Sequence, residues 1–71
     1  MSHIYYRMMS GDSLERVQFA AHDDGTARCR ARTICEAGYH NETIATAVCD
    51  DGTEHVFRNV HGKVEVTVSL R

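Results

Sequence analysis

Seven arginines stand against one lysine in a chain of 71 residues and net charge −2, and three of them, Arg28, Arg30 and Arg32, fall at every second position. Side chains two apart on a strand share a face. On a strand these guanidiniums, joined by Arg16 from a neighbouring strand, form a row of planar forks suited to phosphates or carboxylates. The ligand implied is an anion: a nucleotide, an RNA backbone or an acidic protein surface. A negative chain cannot attract polyanions by its overall field, so such a site must be local. Tyr5, Tyr6 and Tyr39 add base stacking if they reach the same surface.

Other residues with chemical capacity give weaker patterns. Cys29, Cys35, His40, Cys49 and His55 carry the atoms of a tetrahedral zinc site, but Cys-x5-Cys and Cys-x4-His lack the close pairs of zinc ribbons and fingers. A zinc-stabilised module is therefore the third reading, and no metal or cofactor is expected. Cys35, near His40, is the one candidate nucleophile, while Cys29 and Cys49 read as small buried hydrophobes. His55 reads as a hydrogen-bonded core histidine. Ser10, Asp12 and Ser13 share one turn without a positioned histidine, which excludes a triad. Asp23, Asp24, Asp50 and Asp51 have oxygens for a hard cation, yet aspartate is also what turns require, and no twelve-residue calcium loop is present. The chain is expected not to be an enzyme.

These groups need elements to hold them. Asp-Asp-Gly-Thr occurs at residues 23–26 and again at 50–53, and Asp-Gly between apolar runs is a hairpin signal because glycine enters φ > 0 freely. His3–Met9 and Leu14–His22 read as strands around a Ser10–Ser13 turn, with Ile4, Tyr6 and Met8 on one face. A three-residue loop at Asp23–Gly25 would then set Ala21 against Ala27, Phe19 against Cys29 and Val17 against Ala31. That sorts Arg16, Arg28, Arg30 and Arg32 to the other face, although Leu14 and Ile34 land there too. Residues 35–41 read as loop. Glu42–Cys49 reads as a strand for its β-branched residues, with a short helix at 42–50 as the alternative.

The same loop at Asp50–Gly52 places Ala47 opposite His55 and Ala45 opposite Phe57. A two-residue hairpin at His61-Gly62 places Phe57 against Val66, His55 against Val68 and Arg58 against Glu65. Lys63–Leu70 alternates, with Val64, Val66, Val68 and Leu70 expected inward. The fold class expected is all-β: one domain, a six-stranded antiparallel meander closing as a small sandwich or curled barrel. The alternative is α+β.

So short a chain buries only about 60% of the surface its unfolded chain exposes, and a homo-oligomer formed by pairing of an edge, the first or the last strand, is expected to compensate. An odd cysteine count and no secretory layout in Met1–Ser10 suggest a reduced, cytosolic protein without a membrane span. The function expected is a small non-enzymatic binding protein that engages an anionic partner through Arg16, Arg28, Arg30 and Arg32. Its rival is an inhibitor or accessory protein of the kind that viruses and mobile elements encode, blocking a host protein by surface complementarity.

Overall fold

A computed structural model describes residues 1–10, 13–37, 43–60 and 62–71, with 8–10 and 13–17 as backbone. The elements run β1 (Ser2–Ser10), β2 (Ser13–Ala21), α1 (Asp24–Ala37), β3 (Thr43–Val48), β4 (Thr53–Val60) and β5 (Lys63–Leu70). The five strands form one antiparallel sheet in the order β2-β1-β3-β4-β5. The expected β-rich character is present. The six-stranded meander, sandwich or barrel is not, because the third expected strand is α1, which lies over β3 with β1 and β4 to either side. Residues 43–48 are strand, so the helix expected as the alternative at 42–50 does not form there.

Why residues 24–37 choose a helix is visible at both ends and on one face. Asp23 is the N-cap: its Oδ1 accepts the Thr26 N–H at 2.7 Å and its carbonyl accepts the Ala27 N–H at 3.0 Å, filling donors that every helix start leaves open. Ala27, Ala31 and Cys35 are fully buried at i, i+4 and i+8, with Ile34 packed beside them. Opposite this narrow stripe, β3 offers Ala45 and Ala47, also fully buried. Small side chains on both sides let helix and sheet approach closely, and Ile4, Tyr6, Phe19 and Phe57 fill the margins. At the far end the Asn59 side-chain amide donates to the Cys35 carbonyl at 2.9 Å.

Registers elsewhere agree with the alternation of the sequence. Ala45 pairs with Phe57, Ala47 with His55, Phe57 with Val66, His55 with Val68 and Arg58 with Glu65. The β3–β4 connection is a three-residue loop with Gly52 at φ 91°, closed by Cys49 N–H to Thr53 O at 2.9 Å. Gly62 has φ 84° in the β4–β5 turn; its partner in that turn, His61, lies outside the described residues. Strand 1, expected at an edge, is interior. The edges are β2 and β5. Val66, Val68 and Leu70 do lie on the helix side, opposite Phe57, His55 and Thr53, yet they are 42%, 56% and 84% exposed because α1 packs mainly over β3 and it is Val64 of β5 that joins the core.

The two aspartate motifs meet through one carboxylate. Asp24 Oδ1 accepts the Asp50 N–H at 2.8 Å, its Oδ2 accepts the Asp51 N–H at 3.3 Å, and the Ser2 hydroxyl also donates to Oδ1. The first turn of α1 is thereby tied to the start of β1 and to the β3–β4 loop. These hydrogen bonds, led by that from Ser2, lower the Asp24 pKa from 3.8; bonds from Thr26 and Thr53 lower Asp23 and Asp51 likewise. A carboxylate depressed in the folded state contributes stability above its unfolded pKa and loses it as pH falls through the folded one.

The melting temperature should therefore hold steady above about pH 4, the unfolded carboxylate range, and fall below it, with Asp24→Asn melting lower at neutral pH and showing a shallower acid drop. Circular dichroism melts across pH measure both. The two glycines of the repeated motif should respond oppositely to alanine. A Cβ on Gly25 meets only Asp23 Oδ1 at 3.5 Å, an ordinary contact, so Gly25→Ala should stabilise by about 0.5–1 kcal/mol. Gly52→Ala should destabilise by about 1 kcal/mol through its positive φ. Denaturant midpoints for the pair read the two signs.

Candidate functional site

The arginines singled out in the sequence do not form one sheet face. Arg28, Arg30 and Arg32 are on α1, where each residue turns by about 100°. Arg28 and Arg32 therefore flank the same side and Arg30 stands across the helix from them. Arg28 is half-buried with a guanidinium nitrogen 4.0 Å from the Cys49 thiol. The Arg32 guanidinium lies 5.7 Å from the centroid of the Phe57 ring, a cation–π contact that caps the core. Arg30 is exposed. Arg16 is on β2, at a register position belonging to the opposite side of the sheet from α1.

Among the described residues no element covers that opposite side, and on it the registers assemble a different arginine row. Arg16 pairs with Arg7, Arg7 with Ile44, Ile44 with Arg58, and Arg58 with Glu65. The adjacent row runs Gln18, Tyr5, Thr46, Val56 and Thr67, and the next Ala20, His3, Val48, Glu54 and Ser69. With Lys63 opposite Val60, this face has Arg7, Arg16, Arg58 and Lys63 against Glu54 and Glu65, a positive balance in a chain of net charge −2. Arg7 and Tyr5 are exposed. The Tyr5 ring lies 6.4 Å from that of His3, tilted by 31°.

Two arginines directly opposite on neighbouring strands repel one another. A ligand oxygen placed between such forks relieves that repulsion and accepts several charge-assisted hydrogen bonds. Tyr5, two residues along β1, offers a flat face to a base or sugar next to it. Arg7 and Arg58 were not among the expected site residues. Their signal was present all the same: pairing the two strands from Ser10 opposite Ser13 sets Arg7 against Arg16, and the Arg58–Glu65 register puts Arg58 on the face away from Phe57.

The remaining chemical groups are accounted for by structure. Asp24, Cys49 and Asp51 bring metal-type ligand atoms within 4.8 Å of one another. Both carboxylates there already accept hydrogen bonds, Asp51 from the Thr53 N–H at 3.0 Å and hydroxyl at 2.6 Å, and the Arg28 cation sits alongside. Of the expected zinc set, only Cys49 joins such a group among the described residues; His40 lies outside them, as does Tyr39. Cys29 is exposed, not buried as its strand reading required. Cys35 is buried, its thiol contacting the Thr43 carbonyl at 3.5 Å. Burial, with Glu36 adding to it, pushes that thiol up and away from nucleophilic reactivity. His55 Nε2 lies 3.0 Å from the Thr53 hydroxyl, in keeping with a hydrogen-bonded inward histidine. No helix among the described residues is long and apolar enough to cross a membrane. Set beside known protein families, curated proteins and solved structures, the chain matches none.

Proposed function

We propose that this is a non-enzymatic binding protein that takes a single-stranded nucleic acid across the open face of its sheet. The observation that carries the reading is the direct cross-strand opposition of Arg7 and Arg16 on a face that α1 leaves bare. Arg7, Arg16 and Arg58 follow the backbone phosphates, while Tyr5 and His3 stack on the bases. Ile44, Val48 and Val56, all half-buried, form the apolar floor between them. The arginines of α1 take no part, since Arg28 and Arg32 are committed to Cys49 and Phe57.

Fluorescence anisotropy with labelled single-stranded oligonucleotides at graded salt tests this. Wild-type protein should bind with a log–log salt slope that Arg7→Ser/Arg58→Ser flattens by roughly 0.7 for each phosphate no longer neutralised. Tyr5→Ala should weaken binding by about 1–3 kcal/mol while leaving the slope unchanged, as expected when stacking is removed and charge is kept. Arg30→Ser is the control and should bind like wild type. Equal binding by wild type and the double variant, or binding to an acidic polypeptide but to no oligonucleotide, would overturn the proposal.

A further inference from the structure

The second uncovered feature is the β5 edge, and it stands independently of the reading of the open face. In the β3–β4 loop Cys49 N–H bonds Thr53 O, which directs the backbone groups of Thr53, His55, Phe57 and Asn59 to β3 and those of the alternate residues to β5. The β4–β5 register then pairs Glu54, Val56, Arg58 and Val60 with Ser69, Thr67, Glu65 and Lys63. By alternation, the N–H and C=O groups of Val64, Val66, Val68 and Leu70 point off the sheet, where no further strand lies among the described residues. Three of them, Val66, Val68 and Leu70, form an exposed apolar stripe. β5 is also held at both ends: by the Gly62 turn, and by Arg71, whose N–H donates to Gly52 O at 2.9 Å and whose guanidinium donates to Cys49 O.

We infer that this edge is a dimer interface, and that its occupant is β5 of a second copy, antiparallel, with the two-fold axis at Val68. That register sets Val68 against Val68, Val66 against Leu70, Thr67 against Ser69 and Glu65 against Arg71. Every outward-pointing pair among them exchanges both of its backbone hydrogen bonds. The three residues of the stripe, at 42%, 56% and 84%, meet only one another. Charge disfavours the neighbouring register. Centring one residue earlier, on Thr67, would oppose Lys63 to Arg71, whereas centring on Val68 opposes no like charges. Because the axis is normal to the sheet, both helices lie on one side and both open faces on the other, joining two five-stranded halves into one surface.

A charge exchange at the axis tests the register. Wild-type protein should be a dimer by native mass spectrometry and sedimentation velocity. Val68→Lys and Val68→Glu each place like charges face to face and should weaken the dimer by about tenfold or more, and mixing the two variants should restore a dimer containing one of each. Circular dichroism confirms that each variant is folded; if Val68→Lys is not, Leu70→Asp, at a more exposed position opposite Val66, should weaken the dimer in its place. A wild-type monomer throughout a series reaching about 0.1 mM, a Val68→Lys protein as dimeric as wild type, a mixture that does not pair, or open assemblies larger than a dimer would each overturn the inference.

Discussion

One helix has to serve a sheet with two faces, and the close approach of α1 to β3 is the contact on which the rest depends. Ala27 and Ala31 against Ala45 and Ala47 allow it, since any larger side chain at these fully buried positions would lift the helix from the strands. A helix of 14 residues is about 21 Å long and about 10 Å across. Five strands at about 4.8 Å spacing are roughly 19 Å between their outer axes. The helix therefore covers the middle of one face and only part of the edge strands. The bare face and the bare edge are consequences of this arithmetic, and they are the surfaces that a ligand or a second copy can reach.

The second constraint is how the helix is held in place along its length. Its stripe of alanines is smooth, and apolar contact alone would let it slide. Asp24 resists that at one end by binding the Asp50 and Asp51 amides and the Ser2 hydroxyl, and Asn59 resists it at the other through the Cys35 carbonyl. The Asn59 bond is buried, so losing it leaves a donor or acceptor stranded, whereas the Asp50 and Asp51 amides held by Asp24 lie on exposed residues. Electrostatics fixes a position that hydrophobic burial leaves loose.

Much of this fold was legible in the sequence, and the misreading has a physical cause. Strands β1, β2, β4 and β5, the β3 strand and the registers from Ala45 to Val68 come from alternation and turn chemistry. The failure came from treating Asp23-Asp24-Gly25-Thr26 and Asp50-Asp51-Gly52-Thr53 as one device. At the second site Gly52 takes a positive φ; at the first Asp23 caps a helix and Gly25 enters it. Identical residues part company because their C-terminal neighbours differ. After Thr26 come Ala27, Ala31, Ile34 and Cys35, which make a stripe at helical spacing, whereas after Thr53 apolar and polar residues alternate. The arginines at 28, 30 and 32 hid the stripe by imposing a period of two. Ile34, stranded on the charged side of the strand reading, was the clue that the period was wrong. Burial of β5 was overestimated for another reason: alternation says which residues share a face and nothing about whether another layer reaches them.

The arginine row gains its significance from this division of labour. Packing on the helix side accounts for the residues there, down to the alanines, and makes no demand on the other side beyond alternation. The β1–β2 register sets the backbone of Arg7 opposite that of Arg16, and like charges directly opposite on neighbouring strands are unfavourable. Glu65 stands opposite Arg58, on the far side of the sheet's middle strands from the Arg7–Arg16 pair. Hydroxyl or amide residues would serve the open face of a strand at no such cost, as Gln18 and Thr46 do one row along. On the reading proposed above, the backbone register that sets Arg7 opposite Arg16 would receive an anion with oxygens on more than one side, beside the ring of Tyr5.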